Sequence, residues 1–137
     1  MYRACIAVVD ATRGRLFCYH RSADADGVHE TLVEADNLEN EQRYHRARNQ
    51  DHADVDFARF VLACLRELGD EHGAERVILC AAPRMLGHLR ASSPGILRVD
   101  QQVTEVARDF ANLTPSELHT HLADQHVLPT LVPHVAQ

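Results

Sequence analysis

The chain has 137 residues and a formal net charge of -6, with 45% hydrophobic and 25% charged residues. A chain of this length can fold as one domain that buries about two thirds of the surface its unfolded form exposes, so it needs no disulfide or metal for stability. The acidic excess excludes broad, nonspecific binding to nucleic acid, which needs a basic face, but it allows a local basic patch.

The first segment, MYRACIAVVD, contains one arginine and a short apolar run that ends at Asp10. The run is too short for the core of a secretory signal and far too short for a membrane span. We therefore expect a cytoplasmic protein with no membrane partner. The unbroken apolar run at 4–9 also predicts a central strand that is covered on both faces.

A hairpin is predicted next. Asp10 can bond backbone amides ahead of it, and Gly14 can take a positive φ, which together favour a turn at 10–14. Alternating side chains predict a second strand at 15–20, and the segment HETLVEA at 29–35 predicts a third strand after a polar turn. Because its outward residues are glutamates, the third strand should lie near a sheet edge.

The second half of the chain predicts alternating helices and strands. Apolar residues at three- and four-residue steps predict a helix from about Asp54 to Glu71, and RVILCAA at 76–82 predicts a buried strand parallel to the first. Pro83 fits the first turn of a helix through about Arg90, and a further strand is expected at 101–107. The last helix, at 115–125, begins with a capping box formed by Thr114 and Glu117.

These elements predict a single α/β domain at 1–126, with a mixed sheet of about five strands flanked by helices in three layers. The connection at 36–53 is long for a compact domain. Residues 127–137 are apolar but contain Pro129 and Pro133, so they should form an extended tail that docks on a surface or on a partner.

Three stretches together resemble the bacterial host attachment protein family: VVDATRGRLF at 8–17, VILCAAPRMLGHLR at 77–90 and VARDFANLTPSELHTHL at 106–122. The resemblance implies an RNase H-like fold similar to the middle domain of eukaryotic and archaeal peptide-chain release factors. It also implies a part in attachment to a host. In the release factors, a Gly-Gly-Gln loop between the third strand and the long helix drives hydrolysis of peptidyl-tRNA. This chain has Arg48, Asn49 and Gln50 there, and their side chains obstruct the close backbone approach that two glycines allow, so release-type hydrolysis is not expected.

The segment NEQRYHRARNQDH at 40–52 concentrates positive charge in an acidic chain. Three arginines could grip phosphates, Tyr44 could stack on a base, and a glutamine adds a polar contact, which predicts RNA-binding residues Arg43, Tyr44, Arg46, Arg48 and Gln50. The alternative is a solvated loop whose arginines are neutralised by the acidic residues that flank it, and this alternative carries more weight.

A second candidate site is an anion-binding cleft formed by Asp10, Arg13 and Arg84. Asp10 and Arg84 each follow a buried strand, and the carboxyl ends of parallel strands commonly form a ligand crevice. The helix that begins at Pro83 would direct free amides toward it. Turn formation explains Asp10 equally well, and a surface position in the first helical turn explains Arg84, so this alternative is favoured.

The remaining patterns predict no catalytic residue, metal or cofactor. Asp10 has no obvious carboxylate partners for a two-metal nuclease, and His119, His121 and His126 lack the spacing of a shared helix face. The four cysteines form no CxxC pair and lie in apolar runs, which favours free buried thiols. No serine lies in a GxSxG elbow and no glycine-rich phosphate loop is present.

The sequence thus favours a noncatalytic, release-factor-like accessory module that contacts the ribosome or RNA. The second interpretation is a scaffold for protein interactions, for example a homodimer, in which the apolar tail covers a neighbouring chain. The third interpretation is a hydrolase of small anionic substrates at Asp10, Arg13 and Arg84.

Overall fold

The structure is a computed structural model that describes residues 1–41 and 50–129, apart from the side chains of Gln50 and Asp51. Within this part of the chain, five strands and three helices follow one another in the predicted order. In chain order they are β1 (Tyr2–Val9), β2 (Arg13–Asp24), β3 (Gly27–Glu39), α1 (Gln50–His72), β4 (Arg76–Ala81), α2 (Pro83–Ser92), β5 (Gln102–Val106) and α3 (Pro115–Asp124).

The strands form one mixed sheet in the order β3-β2-β1-β4-β5. β2 is antiparallel to both β1 and β3, whereas β4 is parallel to β1 and β5 is parallel to β4. Only β2 therefore runs against the other strands, which is the order and direction expected for an RNase H-like arrangement. The prediction of a mixed five-stranded sheet flanked by helices is confirmed, with β1 and β4 side by side at its centre. The similarity to the middle domain of release factors stays a prediction.

Both faces of the sheet are covered, as the unbroken apolar runs of β1 and β4 require. Alternate residues of β1 belong to opposite clusters: Cys5 and Ala7 pack with α1 and α2, whereas Ile6 and Val8 pack with α3 and the 106–113 connection. Each cluster contains buried leucines from its helices, so the molecule has three layers. No helix in the described residues is long and apolar enough to cross a membrane.

The β2–β3 hairpin is longer than the sequence predicts. Asp24 pairs with Gly27 across a tight turn, and Glu39 still pairs with Arg13, so the strands include residues that were expected to form loops. Because α1 also begins earlier, at Gln50, the connection predicted at 36–53 spans only residues 40–49. The extra residues of β3 include Asp36, Asn37 and Glu39, which an exposed edge strand tolerates, so the apolar alternation that would have revealed them is interrupted.

Two further predictions need correction. Gly14 does not have a positive φ but lies in β2, where a Cβ atom would be 2.9 Å from Val61 Cγ2 of α1. It is needed for close packing rather than for a turn. In addition, the boundary at 126 falls too early, because Leu128 is buried in the core and Tyr2 Oη donates to Val127 O at 3.3 Å.

Candidate binding cleft

A cleft of about 1050 Å³ opens at the carboxyl end of β1. Its walls come from the β1–β2 turn, the end of β3, the first turns of α1 and the connection before α3. The described residues that line it are Asp10, Thr12, Arg13, Asn37, Leu38, Glu39, Asn40, Glu41, Asp56, Phe57, Phe60 and Asn112. The structure therefore brings Asp10 and Arg13 together, but Arg84 lies in the first turn of α2 and does not line this cleft.

Asp10 builds the turn that forms one wall. Its Oδ1 accepts from the backbone N–H groups of Thr12 and Arg13 and from Thr12 Oγ1, each at 2.8 Å. The Asp10 N–H in turn donates to Arg13 O at 2.9 Å. This is the structural role that the sequence allowed for Asp10, and it fixes the carboxylate in place.

Two arginines of β2 hold the connection before α3 against the sheet. Arg13 Nη2 donates to Ala111 O and to Asn112 Oδ1, both at 3.2 Å. Arg15 Nη1 donates to Ala111 O at 3.1 Å and to Leu113 O at 2.6 Å. The guanidinium of Arg13, which was predicted to bind an anion, therefore already donates hydrogen bonds to neutral oxygens of the chain.

Arg15 also forms a two-bond pair with Glu34 of β3. Its Nε and Nη2 donate to the two carboxylate oxygens at 3.0 and 2.8 Å. The hydrogen bonds from Arg15 lower the pKa of Glu34, and those to Glu34 raise the pKa of Arg15. The planar fork of an arginine suits this geometry, which a lysine could not reproduce.

Carboxylates dominate the electrostatics of the cleft. Asp10, Glu39, Glu41 and Asp56 line it, and Arg13 supplies the opposing charge from among its described lining residues. Such a field disfavours an anion. Anion binding at Asp10, Arg13 and Arg84 stays a prediction, and these carboxylates count against it.

Asn40 fixes the start of the basic connection beside this cleft. It is buried, its N–H donates to Thr12 O and its Nδ2 donates to Ala11 O, both at 2.8 Å. The predicted RNA-binding residues Arg43, Tyr44, Arg46 and Arg48 lie outside the described residues. Gln50 is the first residue of α1, but its side chain is also outside them.

The sequence did not reveal a polar cluster on the α3 side of the sheet. Tyr19 donates a short hydrogen bond to Glu30 Oε2, and His119 Nε2 of α3 lies 3.1 Å from the same oxygen. The His119 ring stacks on Tyr19 with 5.9 Å between ring centroids. Burial raises the pKa of Tyr19, and its bond to Glu30 adds to the effect. Although burial opposes it, the hydrogen bond from Tyr19 and the nearby His119 ring lower the pKa of Glu30 overall.

A serine, Ser116, lies beside this cluster. Ser116 lines the same small pocket as Glu30 and His119, but no hydrogen bond joins the hydroxyl of Ser116 to His119 in the described contacts. His121 lies instead against the ring of Phe110, at 5.2 Å between centroids. No group of three or more histidine, cysteine or acidic side chains in the described ranges could hold a metal ion. The alternation of side chains along β2 could have placed Tyr19 on this face. Its contacts with Glu30 and His119 cannot be read from the sequence, because the three residues lie on β2, β3 and α3.

The comparisons with known proteins identify a family and a distantly similar solved structure. A family model described as "Protein required for attachment to host cells" matches residues 38–122. No curated protein is significantly similar to this sequence. The crystal structure of the Aquifex aeolicus member of the Ppx/GppA protein family is similar with a TM-score of 0.47 and 15% identity, over 77% of this chain and 35% of that chain. The chain therefore spans about a third of that neighbour's length.

Proposed function

Because the chain belongs to the family of proteins required for attachment to host cells, we propose that it serves this process as a noncatalytic module that contacts RNA or the translation machinery. The proposed contacts are Arg43, Tyr44, Arg46, Arg48 and Gln50, in and next to the connection between β3 and α1. Arginines would bind phosphates, and the tyrosine ring would stack on an unpaired base.

The distribution of charge is the observation that carries the proposal. Residues 42–49 contain three arginines and no acidic residue, whereas the net charge is -6, so the other residues together carry -9. The net negative charge of the other residues disfavours a polyanion, so these arginines are the proposed place of contact. The site would therefore be small, and its affinity should fall steeply with salt.

The described surroundings support a binding role rather than a catalytic one. Asp10 Oδ1 is committed to the β1–β2 turn, and Arg13 is committed to the connection before α3. Catalysis at these groups would need them to act on a substrate while they maintain the local fold. A small-substrate hydrolase is thus the weakest of the three interpretations.

A homo-oligomeric scaffold is the second candidate function. One observation favours it: β3 is a 13-residue edge strand on which Val28 and Val33 are exposed. Edge strands offer unpaired backbone groups to a partner. The row of acidic side chains on β3 opposes pairing with a second copy, so the RNA-contacting module is the preferred proposal.

The experiment is binding to ribosomes and to single-stranded RNA at several salt concentrations. Replacing Arg43, Arg46 and Arg48 together by serine should weaken binding at least about tenfold at low salt and reduce the slope of log K against log salt by about 2. The matched control replaces Arg3, Arg59 and Arg108 by serine. These three arginines are exposed, and their replacement removes the same charge. If both variants weakened binding equally, or if neither weakened it, the connection would not be the RNA site.

A further inference from the structure

Two of the four cysteines face each other across the β1–β2 ladder. Cys5 and Cys18 are direct partners in the antiparallel register. Both side chains belong to the α1 side of the sheet, where Cys5 is buried in the core cluster and Cys18 packs against its margin. Directly opposed residues of an antiparallel pair have their Cβ atoms about 4.5–5.5 Å apart, so a small approach of the two strands gives the separation of about 3.5–4.5 Å that a disulfide needs.

The surroundings of the two thiols differ. Burial raises the pKa of Cys5 to about 12, and its neighbour Cys18 adds to the rise. Burial also raises the pKa of Cys18, but its neighbour Cys5 opposes that rise. Because Cys18 is only partly buried whereas Cys5 is fully buried, Cys18 ionises more readily and is the better nucleophile of the pair.

Cys18 is also the member of the pair that solution can reach. It lines a cleft of about 600 Å³ at the amino end of β1, whereas Cys5 is fully buried. The cleft contains both basic and acidic residues: Arg3, His20, Asp70, Glu71 and His72. A small, uncharged oxidant can enter such a cleft and meet Cys18 first.

The geometry points to a redox-modification site: we propose that a peroxide converts Cys5 and Cys18 into a cross-strand disulfide. The Cys18 thiolate attacks one peroxide oxygen, the O–O bond breaks, and a sulfenic acid and one water form. The Cys5 sulfur then attacks the Cys18 sulfur, the S–O bond breaks, and a second water leaves. The two thiols lose two electrons and two protons, and hydrogen peroxide is reduced to two waters.

The remaining cysteines do not share these features. Cys80 lies in the opposite cluster, on the α3 side of the sheet, and is fully buried. Cys64 lies on α1, and neither cysteine lines the cleft at Cys18. The proposal is independent of RNA binding, because the described start of the arginine-rich connection, Asn40, bonds to the β1–β2 turn at the other end of β1.

The test is oxidation of the folded protein by hydrogen peroxide, followed by alkylation of the remaining thiols and peptide mapping without reduction. The expected product is a linked peptide pair containing Cys5 and Cys18, with Cys64 and Cys80 alkylated and full reversal by dithiothreitol. Because the crosslink restrains the unfolded chain, the oxidised protein should melt several degrees higher, by about 5 °C or more. A sulfinic acid on Cys18 without a linked peptide, or a link to Cys64, would overturn the proposal.

Two variants sharpen the result. Glu71 lies near Cys18 and adds to the rise in its pKa, so Glu71→Gln should speed disulfide formation about twofold or more. Cys80→Ser serves as the control and should form the same linked peptide at an unchanged rate. An unchanged rate in Glu71→Gln would contradict attack by Cys18. The peptide map of the unaltered protein decides whether the pair forms, even if a variant fails to fold.

Discussion

At the scale of single residues, the side chains that organise the candidate cleft are charged ones whose partners lie far along the chain. Arg15 is only 8% exposed and joins β2 to Glu34 of β3 and to the connection before α3. The sequence predicted a strand at Arg15 and an edge glutamate at Glu34, but not their pairing. Alternation within a strand assigns a side chain to a face, whereas its partner depends on strand register and on the path of a distant loop.

Replacing Arg15 by methionine should lower the free energy of unfolding by about 3 kcal/mol, because Glu34 and two carbonyl groups lose their charged donor. Urea unfolding at neutral pH measures this loss. The control is Arg90→Met, which breaks an exposed pair with Glu105 and should cost much less stability than Arg15→Met. Similar losses in the two variants would mean that Arg15 does not act through its partly buried contacts.

The same pair predicts a pH dependence. Arg15 lowers the pKa of Glu34 in the folded protein below its ordinary value of 4.5, so its stabilising contribution is present above that pH. The contribution is lost as the pH falls through the lowered pKa, because the carboxylate is then protonated in both states. The difference in unfolding free energy between the wild type and Glu34→Gln should therefore be constant above about pH 4.5 and narrow over the range below it. A constant difference over this range would contradict the ion pair.

At the scale of elements, the sequence predicts the number, order and type of helices and strands correctly, because the central strands are apolar runs and the helices have a clear apolar stripe. The capping box at α3 is confirmed: Thr114 Oγ1 accepts from the Glu117 N–H at 3.2 Å, and Glu117 Oε1 accepts from the Thr114 N–H at 2.9 Å. The ends of β2 and β3 were missed because solvent-exposed edges tolerate polar residues at every position. Local patterns therefore identify core elements better than peripheral ones.

Two glycines should respond in opposite ways to substitution by alanine. At Gly14 a methyl group would overlap Val61 of α1, so Gly14→Ala should destabilise the protein by about 1–3 kcal/mol. At Gly87, inside α2, a methyl group meets no atom within 4 Å, so Gly87→Ala should stabilise by about 0.5–1 kcal/mol through helix propensity. Thermal unfolding of both variants checks the signs. If both variants were destabilised, the backbone conformation at Gly87, rather than the space available for a methyl group, would determine the stability of Gly87→Ala.

At the scale of the whole molecule, the cleft depends on four segments that are remote in sequence: the β1–β2 turn, the end of β3, the start of α1 and the connection before α3. The sequence located Asp10 because it follows a buried strand, and Arg13 because it lies in the same predicted turn. It could not anticipate the carboxylates around them, since Glu39 and Glu41 were assigned to a loop and Asp56 to a helix surface. The sheet order brings these groups to one rim, and that order follows from long-range pairing rather than from any local pattern.

Leu128 packs into the core of its own chain, and this contact gives the last prediction. Leu128 is 2% exposed among Ile6, Leu118 and Leu122, so it fills the core between the sheet and α3. Leu128→Ala should therefore lower the unfolding free energy by about 3 kcal/mol in the isolated protein. The control Val99→Ala changes a fully exposed side chain and should stay within about 0.5 kcal/mol of the wild type. If residue 128 belonged to a tail that docks only on a partner, both variants would unfold like the wild type. Urea unfolding at a single low protein concentration separates these outcomes, because in the structure Leu128 stabilises its own chain and needs no partner.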